Sequence, residues 1–313
     1  MKTRILAAPL FGLALFGPSI PIIQAQPSGP IVFLIVIENR NWTGSGGIQN
    51  SSEAPYINKT LLSSAAVAGN YFNPPGNHPS LPNYLWMEAG TNFGIHVDGL
   101  PSEFHQSTHA HLSELLQNAG IPWRAYEESI SGNVCPLEPE GATDSSGSHL
   151  FEPRHLPQVF FEDMTNNLSP NSSYCIAHVR PFSSLAGDLK DGKIGRYNFI
   201  TPNMCDDGHD PCGGNEIAHT DTWLKEKLPI ILDSAQYKSG QVVVFIMADE
   251  AANGDGPIPF LALGKGVKKG YKNEIYYNHS SLLRTLEEIF KVSPMLGAAA
   301  GATDLRDLFS ALP

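Results

Sequence analysis

The stretch that most constrains this chain is Ile31–Asn39, IVFLIVIEN. Seven apolar residues, mostly β-branched, run without a break, and then a carboxylate and an amide arrive together. A short continuous apolar run of this kind predicts a strand buried on both faces, as in parallel sheets. Glu38 and Asn39 then stand at its carboxyl end, where open α/β sheets bind ligands. Gln241–Met247 (QVVVFIM) repeats the pattern and runs into Ala248-Asp249-Glu250. Neighbouring side chains on a regular strand point to opposite faces. Both members of an adjacent pair can therefore reach one ion only where the strand has ended, and both pairs lie there. Four hard oxygen donors, Glu38, Asn39, Asp249 and Glu250, suit a divalent metal cation. Either pair alone reads as helix capping or loop hydrogen bonding; the two together read as a metal site.

Other elements fit around these strands. Tyr56–Ala68 and Thr108–Asn118 predict amphipathic helices, as do Thr220–Ala235 and Asn278–Phe290. Ser80–Ala89 predicts a helix with Ser80 as N-cap and Pro82 in its first turn. Ile121–Tyr126, Tyr197–Ile200 and Ile258–Leu263 predict strands, while Val159–Met164 and Tyr174–Val179 are ambiguous. Ser129–His155 has few apolar residues and many turn formers. It reads as an excursion outside the sheet, pinned by Cys135 and reaching to about Cys175. The alternation predicts an α/β fold: a mostly parallel central sheet with helices on both faces. With no repeat and no dividing linker, residues 26–313 are expected to form a single domain.

Met1–Ala25 reads as a secretory signal peptide, with Lys2 and Arg4 ahead of apolar Ile5–Phe16 and a small residue at the cleavage point. Pro9, Pro18 and Pro21 interrupt a run too short to span a bilayer comfortably, and no later stretch predicts stable membrane insertion. Removing Lys2 and Arg4 takes the formal net charge from −11 to −13. That argues against nucleic acid as a partner and against an electrostatic hold on anionic membranes. Four cysteines fit an exported, extracellular protein with two disulfides. Three connectivities are open; Cys205–Cys212 and Cys135–Cys175 are preferred. No CxxC pair supports a zinc site. Six sequons, at Asn41, Asn50, Asn58, Asn167, Asn171 and Asn278, allow N-glycans. Asn278 is expected to be bare, because it adjoins a candidate active-site residue.

Asn77-His78-Pro79-Ser80 leads into a helix. A hydroxyl there faces unpaired backbone N–H groups and the positive end of the helix dipole. Ser80 can be an ordinary cap and still be a nucleophile toward phosphorus, with the N–H groups holding phosphoryl oxygens. His209-Asp210 lies in CDDGHDPC, and His219 and Asp221 follow at a helix start, where Asp221 is structurally ordinary. His279 opens the last long helix and could donate to a bound phosphate. His178 is not separable from packing, and Arg180 beside it is a candidate phosphate clamp. Taken singly, each histidine reads as structural. An anionic substrate needs local positive charge from a metal or a protonated histidine.

IENRNW, NHPSLPNYL, FITPNMCDDGHD, DTWLKEKLP, FIMADE and NHSSLLRTLEEIF, in that order, resemble the secreted phosphoesterase family. That family contains acid phosphatases and bacterial phospholipases C on an alkaline-phosphatase-like fold. The likeness runs from about Ile31 to Phe290, and the NHPS form is closer to the small acid phosphatases. The resemblance implies metal ligation by Glu38, Asn39, Asp249 and Glu250, with Ser80 as nucleophile. It places His209, Asp210, Asp221 and His279 near the phosphate or metal, with Asn77 and His78 beside Ser80 as substrate-binding candidates. Two departures bear on pocket shape. Ala248 stands where the family usually has Trp, and His279-Ser280-Ser281 where it has His-Tyr-Ser.

The expected function is a secreted, metal-dependent acid phosphatase working through a phosphoserine, with a phosphorylated small molecule or lipid headgroup as substrate. His279 or His209 would protonate the leaving oxygen, a role favoured by its charge below about pH 6.5. The alternative enzyme is a phospholipase C-type phosphodiesterase, which calls for an extra domain or an apolar lid. The chain ends at Pro313, soon after the last motif, which favours the monoesterase. A third expectation, from another class, is a catalytically inactive secreted binding protein on the same fold. The presence of every ligand and of the nucleophile weighs against it.

Overall fold

Every residue of β1 (Ile31–Ile37) is buried, as a strand covered on both faces must be. The structure is a computed structural model that describes residues 29–144, 146–252 and 254–313. The expected signal peptide, Met1–Ala25, lies outside the described residues. Nine further strands follow in chain order: β2 (Ala66–Phe72), β3 (Trp123–Glu127), β4 (Glu140–Thr143), β5 (His149–Phe151), β6 (Val179–Pro181), β7 (Tyr197–Thr201), β8 (Val242–Ala248), β9 (Phe260–Gly264) and β10 (Tyr271–Asn278). Eight of the ten strands form one sheet in the order β10-β2-β9-β8-β1-β7-β3-β6. Only β9 runs antiparallel to its neighbours. Helices flank this sheet, as the alternation predicted.

The two apolar runs of the sequence are adjacent. β1 pairs with β8 on one side and β7 on the other, and all seven residues of β8 are buried like those of β1. The excursion folds as the separate β4–β5 hairpin plus short helical turns. Cys135–Cys175 ties its start to the helix before β6, and Cys205–Cys212 closes the loop after β7. Both are the preferred pairings.

Several elements depart from expectation, among them the helix expected from Thr108, which begins at Leu112. Tyr56–Ala68 forms only a short π-type turn, Ile57–Leu61, before the chain extends into β2. Pairing with β9 and β10 overrides the local helical pattern. Gly69 lets the exposed side chains of Lys272 and Glu274 on β10 lie across it, since a Cβ would sit 2.3 Å from Lys272 Cε. β10 itself went unread because it is an edge strand with Lys272 and Glu274 exposed, so little apolar alternation marks it. The helix predicted from Thr220 starts earlier, at Glu216, because the Asn215 side chain caps it by accepting from Ala218 N (3.1 Å).

Candidate active site

The register Ile37↔Ala248 between β1 and β8 brings the next residues, Glu38 and Asp249, out side by side. Asp249 N still donates to Ile37 O (3.0 Å), continuing the ladder by one bond. The chain then turns at Asn39, whose φ of 46° is left-handed, a conformation asparagine tolerates better than most residues. That turn aims Asn39 N at Asp249 Oδ1 (3.0 Å). Glu38 is fully buried. Its Oε2 accepts from Ser80 Oγ (2.8 Å) and its Oε1 from the Tyr84 hydroxyl (2.5 Å). Ser80 and Tyr84 are four residues apart on the helix Ser80–Ala89, so one helical face supplies both donors. Ser80 is the first helical residue rather than the cap. Its hydroxyl is aimed at Glu38, and the neighbouring N–H of Leu81 goes to Asp98 Oδ1 (3.0 Å).

The loop after β7 closes the site from the other side. Asp207 O accepts from Glu38 N (2.8 Å), and Asp207 Oδ1 accepts from His209 N (2.7 Å). His155 bridges the two acids, with Nδ1 3.5 Å from Asp207 Oδ2 and Nε2 3.6 Å from Glu38 Oε1. Its ring stacks on Tyr84 at 5.2 Å. Burial pushes the carboxyls of Glu38, Asp207 and Asp249 up, and Asp249 raises the other two further. Burial likewise pulls the His155 imidazole well down, leaving it neutral. Asp207 Oδ2, Asp249 Oδ2 and His155 Nε2 are buried without a hydrogen-bond partner. Orphaned carboxylate oxygens in a dry site are costly unless a cation meets them. Ligand atoms of Glu38, His155 and His209 also lie within 4.8 Å of one another. The donor set therefore fits a divalent cation. Arg40 adds one fixed positive charge: its guanidinium donates to Gly208 O, close to Asp207, Glu38 and Asp249.

Around this centre the remaining candidates separate. Glu250 Oε2 accepts from Asn83 Nδ2 (2.9 Å) and meets His78 Nδ1 (2.7 Å). Burial, then Asp249 and Asp98, push the Glu250 carboxyl up to about 9. His78 also reaches Asp255 Oδ1 (3.1 Å). His209 is partly exposed, and its Nδ1 is 2.9 Å from Asp210 Oδ1. Its ring lies 5.8 Å from that of His155. Asn77 is a correction. Its buried amide is engaged at both ends, with Asn83 Oδ1 (3.0 Å) and Asn92 Nδ2 (2.8 Å), so it braces the loop.

Three further expectations are corrected. His279 is fully buried, with Nε2 2.5 Å from the Asp249 carbonyl and Nδ1 3.3 Å from the Tyr71 hydroxyl. Burial pulls its pKa down to about 3, and both ring nitrogens already face partners inside the protein, so its position offers no open nitrogen to a leaving oxygen. Asp221 accepts from Tyr56 N (2.9 Å) and Ile57 N (2.8 Å), which makes it the cap of a short turn. Arg180 lies on β6 at the sheet edge, separated from β1 by β3 and β7. At the usual strand spacing of about 4.8 Å that is roughly 14 Å away. His178 packs between Trp123 and Tyr174.

Asp207, His155, Tyr84, Arg40 and Arg154 were missed. Asp207 had a signal, as the second acid of CDDGHDPC. His155 and Arg154 had none, since they sit in the polar excursion. Arg154 stands nearer the acid cluster than Arg180 and is paired with carboxylates. Its Nη1 is 2.8 Å from Glu152 Oε2 and its Nε 3.8 Å from Asp98 Oδ2, and its charge reaches Asp207. A surface cleft of about 720 Å³ lies beside Gln241, at the opposite end of β8, and holds none of these residues.

The sequence model of the Phosphoesterase family matches residues 48–293. A probable acid phosphatase of Kluyveromyces lactis is 26% identical over 285 residues, covering 88% of this chain and 61% of that protein. A phosphatidylinositol-3-phosphatase of Mycobacterium tuberculosis is 28% identical over 306 residues, covering 97% and 88%. The chain thus spans about three fifths of the yeast relative's length and most of the mycobacterial one's. Among solved structures, an alkaline phosphatase superfamily protein from Vibrio parahaemolyticus superposes with a TM-score of 0.55 at 11% identity, over 87% of this chain and 68% of that one. At that identity the likeness speaks for the fold alone.

Proposed function

The chain belongs to the Phosphoesterase family, and from that premise we propose that it is a secreted, metal-dependent acid phosphatase cleaving phosphate monoesters through a phosphoserine at Ser80. The observation that carries this reading is the contact of Ser80 Oγ with Glu38 Oε2 (2.8 Å), inside a cluster of buried acids with orphaned oxygens. Glu38, Asp249 and Asp207 would hold the cation, with Asn39 and Glu250 at the same strand ends. A divalent cation there supplies positive charge against the phosphoryl oxygens.

The chain's own residues do the rest. Glu38 Oε2 takes the hydroxyl proton as Ser80 Oγ bonds to phosphorus and the ester P–O bond breaks. Tyr84 holds the other oxygen of Glu38, fixing the acceptor's orientation. His209, steadied by Asp210, gives a proton to the leaving oxygen. Water then gives a proton to His209 as it attacks the phosphoserine, the Oγ–P bond breaks, and Ser80 Oγ takes its proton back from Glu38 as phosphate leaves. Leu81 N–H and the Arg154 guanidinium both face the Asp98 carboxylate. A substrate phosphate that replaces Asp98 there gains both contacts.

The names of the relatives support a monoester substrate, either a phosphorylated small molecule or a lipid headgroup. Export is supported by the leader sequence and by the two disulfides. Among the described residues no helix is long and apolar enough to cross a membrane. The test is turnover of p-nitrophenyl phosphate and bis-p-nitrophenyl phosphate, with and without EDTA. Monoester hydrolysis that EDTA abolishes is expected. Faster diester hydrolysis indicates the phospholipase C-type enzyme, and no turnover on either, with metal supplied, indicates a binding protein.

A further inference from the structure

Three of the chain's eleven histidines crowd into seven residues, His105, His109 and His111, in HQSTHAH. The mechanism above uses none of them. The segment leads into the helix Leu112–Asn118 and meets the acidic pair Glu162-Asp163. His105 Nε2 is 3.3 Å from Glu162 Oε1. His109 Nδ1 is 3.2 Å from Asp163 Oδ2 and 3.5 Å from Glu114 Oε1, and the three ligand atoms lie within 4.8 Å of one another. Tetrahedral zinc binds N and O donors at about 2.0–2.2 Å, which sets neighbouring donors about 3.3–3.6 Å apart. The two histidine–carboxylate distances already match the edges of such a tetrahedron. We propose that His109, Glu114 and Asp163 form a second divalent-metal site of zinc type, with its fourth position open to water.

Asp163 is held in place from behind. His111 is fully buried and sets Nε2 3.0 Å from Asp163 Oδ2 and Nδ1 3.2 Å from Glu88 Oε1. Contacts at both ring nitrogens, to Asp163 on one side and Glu88 on the other, fix the buried imidazole in place. Glu88, also buried, accepts from Ser113 N (2.7 Å) and Gln158 Nε2 (3.3 Å) as well. A carboxylate–histidine–carboxylate relay of this kind fixes the orientation of a metal ligand. His109, by contrast, is exposed, so the site is open to solvent. One imidazole with two carboxylates suits Zn²⁺, whereas Mg²⁺ prefers an octahedron of oxygens. Glu88 lies eight residues, about 12 Å of helix, beyond Ser80, so this site is separate from the strand-end cluster.

Metal counting on the full chain tests the proposal. Metal-stripped protein is titrated with Zn²⁺ by calorimetry, and retained zinc is counted after gel filtration. Wild type is compared with His109→Ala, Glu114→Gln and Asp249→Asn, each checked for an unchanged far-UV spectrum. His109→Ala and Glu114→Gln should each weaken one zinc site by about tenfold or more, with turnover at saturating catalytic metal unchanged. Asp249→Asn should keep this zinc while losing activity, so the outcome does not depend on the catalytic reading. Equal zinc content in wild type, His109→Ala and Glu114→Gln would overturn the proposal. So would loss of all zinc in Asp249→Asn.

Discussion

Stripping the catalytic cation is expected to cost more stability at pH 7 than at pH 5. The Glu250 carboxyl is pushed from 4.5 to about 9 in the fold. A raised folded-state pKa means the native chain holds the proton more tightly than the unfolded one. The stabilisation is complete below the unfolded value and is lost as pH rises toward 9. Each pH unit above the unfolded pKa costs about 1.4 kcal/mol, so Glu250 alone accounts for about 3 kcal/mol at pH 7 and under about 1 kcal/mol at pH 5. Glu38, Asp207 and Asp249 move in the same direction. A bound cation requires the ionised carboxylates and removes the penalty. His279 titrates with the opposite sign, losing its stabilisation as pH falls below about 6.5, but it does so with and without chelator and cancels. The assay is calorimetric melting with saturating divalent metal or with EDTA at both pH values. At roughly 2–4 °C per kcal/mol, the EDTA-induced fall should be larger at pH 7 by about 4–10 °C. Equal falls, or a larger one at pH 5, refute the reasoning.

Other expectations follow from the same geometry. Asp221→Ala removes two hydrogen bonds to a buried carboxylate, so it should cost about 2–4 kcal/mol in urea melts while turnover per folded molecule stays unchanged. Turnover lost with stability intact would return Asp221 to the active site. Arg154→Ala should raise KM for a monoester and Arg180→Ala should not; the reverse in a steady-state comparison would show the wrong arginine was chosen. In a eukaryotic secretory host, glycopeptide mapping should find sugar on exposed Asn50, Asn167 or Asn171. It should find none on Asn58, whose amide donates to Ile48 and Ala54 carbonyls, or on Asn278, which caps the His279 helix.

The strand-end pairs were legible because a strand buried on both faces must be apolar throughout, so the first polar residues after Ile37 and Ala248 mark where it ends. Ser80 was legible from its helix, and the cysteines from their spacing and number. What escaped notice was set by tertiary contact. His155 reaches Glu38 only because the polar excursion folds back over the sheet. Asp221 and His279 have sequence positions suited to phosphate binding, but only their buried partners show one to be a cap and the other neutral. β2 was hidden by a helical spacing, Ile57, Leu61 and Ala65, that runs on into the strand's first residues.

The central claim is that Ser80 is the nucleophile, and the stereochemical course at phosphorus tests it most directly. Ser80→Ala is informative but ambiguous, since it also strips a hydrogen bond from buried Glu38. A monoester chiral at phosphorus by oxygen isotopes or sulfur, hydrolysed in isotopically labelled water, reports the number of displacements without touching the protein. Attack by Ser80 followed by attack by water is two in-line displacements, and the account predicts net retention. Net inversion would mean a single direct attack by water and would contradict the phosphoserine mechanism even if Ser80→Ala proved inactive.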